Sequence, residues 1–82
     1  MPTTDAPSAT ATPPHILVVD DDPALRELLT GYLSEADLRV TAAASAKAMF
    51  EAFDQSAIDL VVLDLRLPDG DGLSLARQLR ER

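Results

Sequence analysis

Ile16-Leu17-Val18-Val19-Asp20-Asp21-Asp22-Pro23 is an apolar run of strand length that ends in three consecutive carboxylates and a proline. An unbroken apolar run closed by a helix-start signal reads as a strand buried on both faces, as in parallel sheets with helices above and below. Asp22 is placed as an N-cap and Pro23 as the first helical residue, so a helix follows at once. A second run, Leu60-Val61-Val62-Leu63, leads in the same way into Asp64. Open parallel sheets bind ligands just beyond the carboxyl ends of their strands. The acids at these two ends are therefore the candidate site.

Further along the chain, Leu25, Leu28, Leu29, Tyr32 and Leu33 recur at helical spacing and predict one apolar stripe, with Gly31 a small penalty near its end. Leu38, Val40 and Ala42 alternate with Arg39 and Thr41, which predicts a strand at a sheet edge. Ser45 can cap a second helix whose Ala46, Met49, Phe50 and Phe53 share a core-facing side. The third strand is expected over residues 58–63, followed by a loop over 65–72 that holds Pro68, Gly70 and Gly72. From Leu73 a third helix sets Leu75, Ala76 and Leu79 against Arg77, Arg80 and Arg82. His15 is expected as an exposed residue at the start of the first strand. Three strand–helix units in this order imply an α/β fold with right-handed crossovers and a parallel sheet.

Residues 1–14 are rich in Thr, Ala and Pro, without apolar periodicity, and read as a disordered tail ahead of a folded part at 15–82. The tail lacks the basic start and apolar stretch of a secretory signal, and no stretch is long enough to span a membrane. A cytoplasmic location follows as the expectation. The 82 residues contain no cysteine, which excludes disulfides and thiolate metal sites. Fourteen acids against seven bases give a formal charge of −7 and argue against direct nucleic-acid binding through a basic face.

If the first and third strands are neighbours, their ends lie about 4.8 Å apart. Asp20, Asp21 and Asp64 would then reach one ion. Carboxylates about 4 Å apart near a surface repel by roughly 4 kcal/mol per pair, so protonation or a cation must offset them. A set of few oxygen ligands suits Mg²⁺, which shares its shell with waters and phosphate. An exposed carboxylate beside such a cluster suggests phosphoryl chemistry. Asp22, Asp69 and Asp71 read instead as helix caps and turn formers, and Asp69-Gly70-Asp71-Gly72 lacks the closing Glu of a calcium loop.

The segments Ile16–Asp22, Leu63-Asp64-Leu65-Arg66-Leu67-Pro68 and Asp71-Gly72-Leu73 resemble the N-terminal half of a bacterial two-component response-regulator receiver domain. The resemblance implies a truncated flavodoxin-like (CheY-like) fold, with three parallel strands in the order 2-1-3 alternating with three helices. It makes Asp64 the acceptor of a phosphoryl group from a sensor histidine kinase. Asp20 and Asp21 become the pair that positions Mg²⁺, with Asp21 favoured as direct ligand. The backbone carbonyl of Arg66 becomes a main-chain metal ligand, and Pro68 and Gly72 shape the loop. The domain would signal rather than act as an enzyme, beyond Mg²⁺-dependent self-phosphorylation. The Leu67-Pro68 loop and the Asp71–Leu75 run are most similar to the subgroup with a winged-helix DNA-binding output.

The family normally has five strands and five helices, with a hydroxyl after the fourth strand and a lysine after the fifth. Lys47 and Ser74 fall on the expected second and third helices and fill neither place. Residues 15–82 are thus expected as a partial receiver lacking the last two strand–helix units. Its output is in question, and its third-strand edge would be open to self-association. Two other readings remain at this point. One is a fragment that does not signal; the other is a phosphohydrolase of the haloacid dehalogenase type using Asp20 and Asp22, although Ala24 stands where that family wants Thr or Val.

Overall fold

The computed structural model describes residues 13–81. Strands and helices alternate as β1 (His15–Val19), α1 (Pro23–Glu35), β2 (Arg39–Ala43), α2 (Ala46–Gln55) and β3 (Leu60–Leu63). A small hairpin, β4 (Arg66–Leu67) and β5 (Gly70–Asp71), then precedes α3 (Gly72–Arg80). The main sheet is parallel with the order β2-β1-β3, as expected. The tail expected at 1–14 falls, for residues 1–12, outside the described residues, as does Arg82.

Register places the core. Leu17 and Val19 pair with Thr41 and Ala43 on one side and with Val61 and Leu63 on the other. The same face packs Ala46 and Met49 of α2, Leu67 of the hairpin and Leu75 of α3 into one apolar cluster. Ile16 and Val18 point to the opposite face, where α1 lies, and β1 is buried along its whole length. The β1–β3 register is clamped at its start, where the Asp59 amide donates to the His15 carbonyl (2.8 Å) and the His15 amide donates to Asp59 Oδ2 (2.7 Å). A slip by one residue would turn every apolar side chain of β3 to the wrong face, and Asp59 opposes that slip.

Five expectations are corrected. His15 is not an exposed start residue: it lies inside β1, 5% exposed, with Nε2 paired to the Thr41 hydroxyl at 2.6 Å and Nδ1 without a partner. The central position of β1 buries even its first residue. The stripe on α1 splits, because only Leu29 and Leu33 are half-buried while Leu25, Leu28 and Tyr32 stay exposed. β3 is shorter than expected and covered on one face only, with Leu60 and Val62 exposed. Among the described residues no strand pairs with its outer edge. The loop at 65–72 contains an antiparallel ladder, Arg66 with Asp71 and Leu67 with Gly70, around a turn at Pro68 and Asp69. On α3, Leu75 is buried but Ala76 faces outward with Leu73, Arg77 and Arg80 around a shallow groove.

A Cβ built on Gly31 of α1 meets nothing within 4 Å. Glycine in a helix interior costs about 0.5–1 kcal/mol relative to alanine through backbone entropy. Gly31→Ala is therefore expected to stabilise the fold by that amount, read as a higher denaturant midpoint with an unchanged slope.

Candidate functional site

Both acidic ends emerge from the sheet with their backbones still held by it. The amide of Asp20 donates to the Ala43 carbonyl (3.1 Å), extending the β1–β2 ladder, and that of Asp64 donates to the Val19 carbonyl (2.9 Å), extending β1–β3. Parallel pairing thus carries the two aspartates out side by side. Carboxylate oxygens of Asp20, Asp21 and Asp64 all lie within 4.8 Å of one another. Asp20 is buried at 8% exposure, Asp64 is half-buried and Asp21 is exposed, so the cluster opens to solvent on one side.

Local hydrogen bonds set each carboxylate. Asp20 Oδ1 accepts from the Asp22 amide (2.9 Å), and Asp64 Oδ1 accepts from the Arg66 amide (3.0 Å). Asp22 caps α1, its Oδ1 accepting from the Ala24 and Leu25 amides. The positive end of the α1 dipole therefore lies beside the cluster. The Arg26 guanidinium reaches back past the start of α1 and donates to the Asp20 carbonyl at 2.7 Å. Sequence reasoning passed over Arg26; its spacing of one helical turn from the N-cap Asp22 was the available signal.

The wall opposite α1 is the hairpin. Gly72 donates its amide to the Leu65 carbonyl (3.1 Å), and a Cβ on it would lie 2.5 Å from Leu65 Cα and 3.2 Å from the Asp64 carbonyl oxygen. Only glycine allows α3 to start so close behind Asp64. Asp71 caps α3 through Ser74 (3.4 Å), as a cap expectation requires. Asp69, also expected to serve a turn, goes further and accepts from the Ala46 and Lys47 amides at the start of α2, at 2.7 and 3.1 Å. Those two amides hold its carboxyl below the usual carboxylate range. Lys47 is exposed on α2 and Ser74 is exposed on α3, neither of them joining the cluster.

Residues 16–82 match the response regulator receiver domain family. The chain is 46% identical over 74 residues to the transcriptional regulatory protein AruR of Pseudomonas aeruginosa, covering 84% of this chain and 30% of that protein. It is 39% identical over 70 residues to the TorCAD operon transcriptional regulatory protein TorR of Escherichia coli, covering 85% and 30%. Among solved structures it is similar to the non-phosphorylated HemR receiver domain of Leptospira biflexa, with TM-score 0.77, 43% identity and coverage of 83% and 55%. It is likewise similar to TrrA of Thermotoga maritima in complex with Mg²⁺ and BeF, with TM-score 0.78, 37% identity and coverage of 83% and 59%. The chain spans about a third of the curated relatives' length and over half of the solved chains. It belongs to the response regulator receiver domain family, and its fold is the CheY-like receiver fold. The hydrolase alternative is overturned by this match, and physically by Asp22, whose carboxylate is committed to capping α1 and not to the cluster.

Two outcomes follow from this geometry. Gly72→Ala forces the backbone behind Asp64 to move, and overpacking of this kind costs about 1–3 kcal/mol; denaturant unfolding reads the loss, and the Asp64 amide resonance shifts with it. For Asp69, a depressed folded-state value means that its stabilising effect is present above the ordinary carboxyl value of about 3.9 and is lost as pH falls below it. The stability gap between the parent and Asp69→Ala should therefore be constant at neutral pH and close in acid below about pH 4; a gap that persists unchanged in acid contradicts the assignment.

Proposed function

We propose that this receiver domain accepts a phosphoryl group on Asp64 from a sensor histidine kinase, with Asp20 and Asp21 positioning Mg²⁺ and the Arg66 carbonyl completing the protein's share of the metal ligands. The observation that carries this reading is the convergence of the three carboxylates from two strand ends to within 4.8 Å of one another. The donor set fits the ion, being made of oxygen atoms alone, few in number and open to solvent on one side. When bound, Mg²⁺ would supply neutralisation of the carboxylates and of the transferring phosphoryl oxygens.

The chain's own residues supply orientation. The Arg66 amide engages Oδ1 of Asp64, which leaves Oδ2 as the nucleophile. That oxygen attacks the donor's phosphohistidine in line. The new O–P bond forms as the P–N bond breaks, and the imidazole leaves after taking up a proton. Ladder bonds to Val19 and Ala43 hold Asp64 and Asp20 against recoil, so the reacting carboxylate is positioned before the donor arrives.

The relatives' names as transcriptional regulators support a place for this domain in control of transcription, of the winged-helix output subgroup. The acidic charge of −7 supports a role for this chain without direct contact with nucleic acid. Among the described residues no helix is long and apolar enough to cross a membrane. We place the domain in the cytoplasm, where kinases and their response regulators meet.

The test is intact mass after incubation with Mg²⁺ and acetyl phosphate. One phosphoryl group is expected on the parent and none on Asp64→Asn, and chelation of Mg²⁺ should abolish the addition. A folded parent that stays unmodified, or a phosphorylated Asp64→Asn, would overturn the assignment.

A further inference from the structure

We propose that Asp69 is a positioning residue for the acceptor site: by holding the tip of the β4–β5 hairpin against the start of α2, it sets where the Arg66 carbonyl stands. The proposal rests on the reading of Asp64, Asp20, Asp21 and Arg66 given above.

The hairpin that carries Arg66 is tied down at two ends. Its base is held by the Gly72 amide on the Leu65 carbonyl at 3.1 Å, and its tip by the two oxygens of Asp69 on the Ala46 and Lys47 amides at 2.7 and 3.1 Å. Arg66 lies between the two anchors, paired with Asp71 across the ladder. Buried Leu67 packs with Ala46 and Met49 beneath the tip, so the polar tie and the apolar contact act on the same four-residue turn. A Cβ on Gly70 would approach Leu75 Cδ1 to 2.9 Å, so the hairpin's other side is pressed on α3 and has little room to shift that way.

The tie also joins the hairpin to the segment that follows β2. Ala46 begins α2 three residues after Ala43, whose carbonyl receives the Asp20 amide at 3.1 Å. Asp69 thus links the segment behind Asp20 to the segment behind Asp64. Helix α2 has a cap of its own in Ser45, whose Oγ accepts from the Ala48 amide at 3.1 Å. The tie from Asp69 is therefore additional to local capping. Its two amide partners keep the carboxylate ionised, which maintains the tie at neutral pH.

The experiment is a Mg²⁺ titration followed by amide resonances of Asp64 and Arg66, on the parent chain and on Asp69→Ala, Asp69→Asn and Ser45→Ala. Groups that orient metal ligands typically cost 10–100-fold in affinity when removed, and about tenfold is expected here for Asp69→Ala. Asp69→Asn keeps one acceptor oxygen and is expected to recover part of that loss, which keeps the test open if the alanine variant unfolds. Ser45→Ala removes another cap of the same helix and is expected to bind Mg²⁺ as the parent does. Equal affinity in Asp69→Ala and the parent overturns the proposal, as does an equal loss in Ser45→Ala, since the effect would then be the stability of α2. A parent with no saturable Mg²⁺ response overturns the reading of the metal site and the positioning role with it; protected Ala46 and Lys47 amides that lose protection in Asp69→Ala would still show that the tie exists.

Discussion

Three carboxylates held within 4.8 Å of one another set the terms for everything else at this end of the sheet. At such separations each pair repels by about 4 kcal/mol near a surface, an amount comparable to the whole net stability of a small domain. The sheet creates the problem, because parallel pairing of β1 with β3 brings Asp20 and Asp64 out on adjacent strands. It also contains the problem, because the amides of both residues remain in its ladders. The cluster cannot relax by letting its backbones drift apart without unzipping the central strand.

That constraint explains why the core is built around β1. Leu17, Val18 and Val19 are almost completely buried, and the apolar cluster around Leu17 and Val19 draws on β2, α2, the hairpin and α3. Burial of that kind is worth about 1.5–3 kcal/mol per large aliphatic side chain, which is the scale needed to hold charged groups together. The opposite face is less complete. Leu25, Leu28 and Tyr32 on α1 and Leu60 and Val62 on β3 are exposed, so within the described residues the stabilising cover lies mainly on the α2–α3 side.

Much of this was legible in the sequence. The caps at Asp22, Ser45 and Asp71 follow from local patterns whose partners lie within a few residues. The strand order, and with it the meeting of Asp20, Asp21 and Asp64, came instead from the resemblance to receiver domains, because the residues alone leave open whether β1 and β3 are neighbours. What was not legible depends on pairs distant in the chain. The tie from Asp69 to Ala46 spans 23 residues, and the pairing of His15 with Thr41 spans 26. Neither has a spacing rule. The split of the α1 stripe also escaped, because periodicity gives the width of an apolar face and not how much of it a neighbouring layer covers. The hairpin was masked by turn residues, since a ladder of two pairs is too short to show alternation.

The choice of groups that stabilise the acids has a chemical logic. Among the described hydrogen bonds, Asp20, Asp22, Asp64, Asp69 and Asp71 all accept from backbone amides. The Arg26 guanidinium donates to the Asp20 carbonyl and not to a carboxylate. An amide offers a fixed partial charge in one direction and cannot leave its place, whereas a lysine or arginine in direct contact would occupy the position that a divalent cation needs. On the proposed reading, in which the site admits a metal and then a phosphoryl group, donors that lower repulsion without filling the space suit it better. Backbone amides also arrive with the fold itself, at helix starts and strand ends. In this chain the residues that cap helices and the residues that form the cluster therefore share the same short segments, and the sequence Asp20-Asp21-Asp22 serves both purposes in three consecutive positions.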